Sequence, residues 1–259
     1  MSFFDKILSK SGNILYYPGC LTKFVAKDIF DNYKKLLEMS GEDFIVLPDH
    51  EVCCGSPVLN AGFPDDFKNL AEKNLALFKE YNVKKIITGC PACYEMFRNK
   101  YKEVLSGKWD IDVEHMTTYL LRKLKEGKLK LAGQKIKATY HDPCHLGRYG
   151  GIYEEPREIL KLLGVDLQEM VLNREFAFCC GAGGGVQSNN KELAESIAAE
   201  RVSQALATDA EYIITPCPMC AYNLRNGARL PAPEGAANGG QAGDKMKVVE
   251  FSDVLLGKI

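Results

Sequence analysis

The sequence predicts an α/β protein made of two tandem parallel-sheet domains related by internal duplication. Three observations predict it. First, Ile213-Ile214-Thr215-Pro216-Cys217-Pro218-Met219-Cys220 is a near-copy of Ile86-Ile87-Thr88-Gly89-Cys90-Pro91-Ala92-Cys93. Second, each copy is the last part of a three-part cysteine pattern. The first half carries Tyr17-Pro18-Gly19-Cys20, Cys53-Cys54-Gly55 and then Cys90 to Cys93; the second carries Asp142-Pro143-Cys144, Cys179-Cys180-Gly181 and then Cys217 to Cys220, at nearly the same intervals. Third, short β-rich runs alternate with amphipathic stretches in both halves, the signature of right-handed βαβ crossovers and a parallel sheet. The 10 cysteines divide evenly between the halves with none left over.

The elements follow in order. Ile14 to Tyr17 is a β-like run ended by the turn signal Pro18-Gly19, so Cys20 sits off the C-terminal end of a strand. Phe24, Val25, Ile29, Tyr33, Leu36 and Leu37 recur at helical spacing, predicting one helix from Phe24 to Met39 closed by Ser40-Gly41. Phe44 to Leu47 reads as a second strand leading to the Cys53-Cys54-Gly55 loop. A helix from Asp65 to Tyr81 and a strand over Lys85 to Thr88 precede Cys90. Asp112 to His115 and Thr117 to Lys125 give a last strand and helix. Gly127 to Gly133 is a basic linker, which sets the domains at 1–128 and 129–259.

The second half repeats this order: strands at Ile136 to His141, Val165 to Val171 and Tyr212 to Ile214, and helices at Tyr153 to Leu163 and Lys191 to Leu206. Val249-Glu250-Phe251-Ser252 mirrors Val113-Glu114-His115-Met116 at the end. Each half is then a Rossmann-like unit, and the cysteine stretches fall beyond the carboxyl ends of its strands, where open parallel sheets bind ligands. Leu230 to Gly243, rich in Pro, Gly and Ala, breaks the repeat and reads as a flexible surface loop, with a lid or partner-docking loop as the sharper alternative.

Composition narrows the classes. A chain of 259 residues with 46% hydrophobic content can bury the cores of one or two domains. With 33 basic and 34 acidic residues and no run of Lys/Arg to track a phosphate backbone, nucleic acid is excluded as a partner. Met1 to Lys10 places Phe3, Phe4, Ile7 and Leu8 at helical spacing but has no secretory signal, and no apolar run approaches the ~18 residues of a membrane span. A cytoplasmic protein that does not itself span a membrane is expected, with those four residues docked on its own body.

Cysteines at this density in a cytosolic chain read as metal-binding or catalytic, and an odd number per half cannot all form disulfides. Thiolates at CxxC spacing bind soft or borderline metals. Structural zinc closes at four ligands, whereas each half offers more than one zinc needs and too few for two. Adjacent side chains on extended backbone point to opposite faces, so Cys53 and Cys54 suit two irons of one larger cluster better than one ion. Iron-sulfur, zinc and redox-active or structural thiols all stand as readings of the residues alone.

Cys53-Cys54-Gly55-Ser56-Pro57, Tyr140-His141-Asp142-Pro143-Cys144-His145-Leu146-Gly147-Arg148 and Cys179-Cys180-Gly181-Ala182-Gly183-Gly184-Gly185 resemble the duplicated cysteine-rich CCG domains of heterodisulfide reductases, nearest to the B- or D-type catalytic subunit. Related domains occur in the iron-sulfur subunits of glycolate and lactate oxidases and of sulfite-reduction membrane complexes. The resemblance implies two noncubane [4Fe-4S] clusters facing one another across a pseudo-twofold interface. Cys20, Cys53, Cys54, Cys90 and Cys93 hold one, and Cys144, Cys179, Cys180, Cys217 and Cys220 the other. It further implies two-electron reduction of a small-molecule disulfide to two thiols. Electrons arrive from a ferredoxin-like [4Fe-4S] subunit and a flavin or membrane electron-donor subunit, since this chain lacks the ferredoxin-like cysteine run of D-type relatives. Both cysteine sets are complete, which favours catalysis at paired clusters over a single relay.

Around such clusters, Gly181, Gly183 and Gly184 are candidates to approach cluster sulfides and donate backbone N–H bonds, or simply to form a tight turn. His141 and His145 flank Cys144 as candidate proton donors to a leaving thiolate, with cluster hydrogen bonding as the alternative role. Arg148 is a candidate partner for an acidic substrate group. His50 and His115 are expected to be structural or exposed. Besides the disulfide reductase, an electron-transfer subunit of a lactate/glycolate oxidase-type or quinone-linked complex and a zinc-stabilised scaffold fit the same residues.

Overall fold

A computed structural model describes residues 12–47, 52–230 and 246–259. The chain divides into two compact units, Met1–Lys130 and Leu131–Ile259. The amphipathic stretch Met1 to Lys10, His50 and residues 231–243 of the Pro/Gly/Ala-rich segment lie outside the described residues.

In the first unit β1 (Asn13–Tyr16), β2 (Val83–Thr88) and β3 (Asp112–His115) form a parallel sheet in that spatial order. Leu15 of β1 pairs with Ile86 of β2, and Ile86 in turn with Val113 of β3. The expected strand over Phe44 to Leu47 is reduced to a single parallel bridge, Leu15↔Ile45, on the free edge of β1. The expected helix from Phe24 to Met39 is two helices, α1 (Cys20–Phe24) and α2 (Lys27–Met39), broken at Val25 and Ala26. Cys20 starts a short helix of its own after Tyr17-Pro18-Gly19, and Ala26, at φ −101° and ψ 62°, separates it from the next. Helices α3 (Ser56–Asn60) and α4 (Pro64–Glu80) follow the Cys-Cys pair, and α5 (Pro91–Glu95) begins at the CxxC. It runs through one π-helical turn, Met96–Lys100, into α6 (Tyr101–Val104), and α7 (Met116–Lys125) closes the unit.

The second unit is built alike, with β4 (Lys137–Tyr140), β5 (Asp166–Leu167), β6 (Tyr212–Thr215) and β7 (Lys247–Glu250) in the all-parallel order β5-β4-β6-β7. Its helices are α8 (Cys144–Gly147), α9 (Glu154–Leu162), α10 (Val186–Asn189), α11 (Lys191–Leu206), α12 (Pro218–Ala228) and α13 (Phe251–Leu255). The strand expected over Val165 to Val171 is only β5, because the chain beyond Gln168 is pulled into side-chain bonds described below. The end of the repeat also shifts by one residue. Thr88 pairs with His115 and Thr215 with Glu250, so His115 is the counterpart of Glu250 and not of Phe251. Both cap the helix that follows: His115 accepts from the Thr117 backbone and Glu250 from the Ser252 backbone.

The cores differ in chemistry. The first is aromatic, with Tyr17, Phe67, Phe78, Phe97, Tyr101 and Trp109 in contact; Tyr17 and Phe97 meet edge to face at 4.8 Å, and Phe97 and Tyr101 at 4.9 Å. The second is small and aliphatic, with Ala198, Val202, Ala205, Ile213 and Leu224 at its centre. Among the described residues no helix is long and apolar enough to cross a membrane.

Candidate metal centres

In each unit the cysteines converge at the carboxyl edge of the sheet. Cys20 and Cys144 open the short helices α1 and α8, each after a three-residue turn that follows β1 or β4. Cys90 and Cys217 are the N-cap residues of α5 and α12, each followed by a proline at the first helical position, where a missing N–H costs nothing. The CxxC spacing then brings Cys93 and Cys220 into the first turn on the same side. The Cys-Cys pairs arrive from the loop after the edge of β1 in one unit and after β5 in the other.

The resulting sulfur arrangement is the same twice. In the first unit Cys20 bonds Cys53, Cys53 bonds Cys54, Cys54 bonds Cys93 and Cys93 bonds Cys90, a single run of sulfur contacts. In the second the run is Cys144, Cys179, Cys180, Cys220, Cys217. All ten are free thiols, and the middle of each run is buried: Cys54 and Cys93 lie between exposed Cys20 and half-buried Cys53 on one side and half-buried Cys90 on the other, and Cys180, Cys220 and Cys217 lie behind half-buried Cys144 and Cys179. Mutual bonding splits their acidities. Cys53 and Cys93 bond to the Cys54 sulfur and pull it down to about 6, and the same bonds push Cys93 up. Cys144 and Cys180 likewise hold Cys179 low, and Cys144 itself is raised by that bond and by burial. Without a cation the sulfurs of one run cannot all ionise together. A donor set of contiguous, mostly buried thiols therefore fits a multivalent thiophilic centre, and exceeds the four ligands of a tetrahedral zinc.

Backbone geometry around the pairs is duplicated as well. The Gly55 N–H donates to Cys53 Sγ at 3.4 Å and the Gly181 N–H to Cys179 Sγ at 3.3 Å. Both glycines have positive φ, 88° and 84°, and a Cβ would stand 2.5 Å from the Phe67 ring at Gly55 and 2.6 Å from the Ala194 carbonyl oxygen at Gly181. Only glycine satisfies both demands. A Cβ at Gly183 or Gly184 meets nothing within 4 Å, so these two shape the turn ahead of α10, and Gly181 alone of the three is placed against sulfur.

The polar candidates separate. His145 holds Nδ1 3.3 Å from Cys144 Sγ at the half-buried mouth of the second site, and burial lowers its pKa. His141 is buried; its Nδ1 accepts from Arg201 Nε at 3.2 Å, and burial followed by the Arg201 charge pulls it down to about 3. A ring nitrogen of His141 and the sulfurs of Cys180 and Cys220 lie within 4.8 Å of one another. It is neutral at pH 7 and walled from solvent, a poor position for a proton donor to an external molecule. Arg148 donates Nη1 to the Glu175 and Ala177 carbonyls, bracing the loop ahead of Cys179. His115 is buried and neutral, bonded through Nδ1 to Thr117.

Sequence reasoning missed four supporting residues. Arg157, buried in α9, grips Asp142 of the Asp-Pro-Cys stretch with two parallel bonds of 2.7 and 2.8 Å and reaches Glu169 through Nε at 2.6 Å. Asp142 also accepts from the Arg174 backbone N–H. This lattice pulls residues 169–174 out of the sheet toward Cys144. Buried Asn74 donates to the Cys53 carbonyl and to Tyr101 Oη, and buried Asn223 to the carbonyls of Cys180 and Ala194. Arg201 is wholly buried. For Arg157, Asn74 and Asn223 the signal in the sequence was a polar residue among apolar neighbours on a helix; for Arg201, on a helix rich in charge, there was none.

The family model for the cysteine-rich domain called CCG matches the chain twice, at residues 14–98 and 138–225. The chain belongs to the CCG cysteine-rich domain family. Its two CCG domains are 35% identical over 228 residues to the D-type subunit of the dihydromethanophenazine:CoB–CoM heterodisulfide reductase of Methanosarcina acetivorans, covering 86% of this chain and 56% of that one. The EtfAB:quinone oxidoreductase of Syntrophomonas wolfei is 34% identical over 95% of this chain and 34% of its own length. The probable iron-sulfur-binding oxidoreductase FadF of Bacillus subtilis is 38% identical over 87% of this chain and 32% of its own. The chain thus spans about half or less of the length of these curated relatives.

Proposed function

We propose that the two CCG domains each bind one noncubane [4Fe-4S] cluster, through Cys20, Cys53, Cys54, Cys90 and Cys93 and through Cys144, Cys179, Cys180, Cys217 and Cys220, and that the chain is the catalytic part of a heterodisulfide reductase-like oxidoreductase. The observation that carries this reading is the identical run of sulfur contacts in the two units, complete in both. Bound clusters of this kind supply one-electron transfer and an iron site with affinity for sulfur. In the reaction, one S–S bond breaks, two electrons and two protons enter, and two thiols leave. A ferredoxin-like subunit, fed by a flavin or membrane donor, supplies the electrons.

The chain's own residues supply position and protons. Exposed Cys20 and half-buried Cys144 mark the approach for substrate, and the buried sulfurs of Cys54, Cys93, Cys180, Cys217 and Cys220 lie behind them. His145, half-buried beside Cys144 Sγ, is the proton carrier at that mouth. His141, buried and neutral, is assigned to orienting Arg201 and the sulfurs. Gly55 and Gly181 donate their N–H groups to one sulfur of each pair, which stabilises negative charge there.

A second reading, an electron relay in a quinone-linked complex, is favoured by the similarity to the quinone oxidoreductase, which covers 95% of this chain. Disulfide turnover separates the two. The anaerobic protein, reduced by a viologen donor, should convert a panel of thiol-cofactor disulfides to free thiols, and its oxidised EPR spectrum should change on adding thiol. Full cluster content with no thiol-dependent signal and no thiol release would sink the catalytic reading and leave the relay.

A further inference from the structure

The duplication is close in backbone and sulfur and broken in charge. Counted back from the paired threonines Thr88 and Thr215, the same position of α4 and α11 holds Asn74 in the first unit and Arg201 in the second. The residue after the first strand, whose backbone N–H donates to the middle strand in both units, is Tyr17 in one and His141 in the other. Tyr17 donates its hydroxyl to the Val52 carbonyl and Asn74 bonds the Cys53 carbonyl and Tyr101, so this wall is uncharged. In the second unit the wall is a guanidinium. Arg201 is fully buried, Nε bonds His141, Nη1 bonds the Leu172 carbonyl and Gln204, and Nη2 has no partner among the described residues.

A buried guanidinium N–H without an acceptor is costly, and here the charge lies one imidazole away from the Cys180 and Cys220 sulfurs. Burial lowers the Arg201 pKa only to about 10, so the group is cationic at neutral pH. Among the described residues no carboxylate is bonded to it. The Asp142 carboxylate is neutralised by Arg157, and buried Glu250, bonded by Ser252, is the acidic group acting on Cys217.

We propose that Arg201, held by His141, is a positioning residue that raises the reduction potential of the cluster in the second unit, so that the two sites of the duplication are tuned by different groups. This rests on the reading that each unit binds an iron-sulfur cluster. The physical reason is direct. Reduction adds negative charge to the thiolate-bound centre, and a fixed cation in a low-dielectric wall stabilises that added charge more than the oxidised state. Glu250 acts in the opposite sense. The first unit has neutral His115 in the place of Glu250 and Asn74 in the place of Arg201.

The test uses the full chain carrying Cys54→Ser, which leaves only the second site intact, in an EPR-monitored redox titration with iron and sulfide measured on every sample. Arg201→Gln should move the midpoint to more negative potential at unchanged iron content, Arg201→Lys should recover most of the shift, and Glu250→Gln should move it positive. An unchanged midpoint in Arg201→Gln at full iron content overturns the proposal, as does an equal shift in Arg201→Lys, which would trace the effect to packing. If Arg201→Gln loses its cluster, the parent chain labelled with guanidino-15N arginine decides: pulsed ENDOR should show 15N coupling to the cluster, and its absence overturns the assignment. A parent chain without iron and sulfide instead defeats the cluster reading itself.

Discussion

The two halves of this chain place the same sulfurs on the same sheet edge and surround them with different matter. The first half backs its cysteines with aromatic rings packed mostly edge to face and with amide bonds, the second with small aliphatic residues and buried arginines, Arg157 on Asp142 and Glu169, and Arg201 on His141. The difference teaches which features the site requires. What is common to both, the glycine after each Cys-Cys pair and the proline inside each CxxC, belongs to holding the sulfurs. What differs belongs to tuning and stability of the individual half.

The sharpest way to break the comparison is Arg157→Met. It leaves Asp142 buried without its cation, with only the Arg174 backbone N–H bonded to it, where the first unit has Pro18, and should cost about 3–5 kcal/mol by thermal or denaturant unfolding. Adding Asp142→Asn to it should recover part of that loss; no recovery would mean that packing, not charge, set the cost.

The paired glycines come next. Gly181→Ala meets a backbone carbonyl at 2.6 Å that cannot move, whereas Gly55→Ala meets the Phe67 ring, which can turn. Each substitution should destabilise its half by about 2–4 kcal/mol, Gly181→Ala the more. Equal costs in urea titrations would show that positive φ alone sets the requirement.

Asn74→Ala and Asn223→Ala should each cost about 1–3 kcal/mol by orphaning a buried carbonyl. Similar costs are expected although the two asparagines sit on different helices, and a stability-neutral variant in either half would show that its pair carbonyl does not depend on the asparagine. The smallest effect is expected where exposed Lys191 pairs with half-buried Glu195 on α11: Lys191→Ala should change stability by less than about 0.5 kcal/mol.

Much of the architecture was legible in the sequence, because parallel strands ending in turn signals and helices with one apolar face each leave a period. The Lys191 to Leu206 helix appears with those bounds. What failed has a physical cause in each case. Val165 to Val171 reads as a strand from composition, yet Glu169 and Arg174 are tied to Arg157, Asp142 and Glu154, bonds between residues far apart in sequence. Phe24 and Val25 read as the apolar start of a helix, but they are exposed and α2 starts beyond them. At the site, the gathering of five cysteines at the carboxyl edge of each sheet was legible from the repeat and its spacing. Arg201 was not, because a charged residue in a helix that also carries Lys191, Glu192, Glu195 and Glu200 looks like part of the solvated face until its burial is known.

The central claim is that each half is a complete, separate cluster site, and iron and acid-labile sulfide per chain test it most directly. Anaerobically prepared wild-type protein should hold about eight irons, and Cys54→Ser and Cys180→Ser about four each, with the remaining EPR signal differing between the two variants. Zinc in place of iron, or a single substitution that empties both halves, would contradict the account.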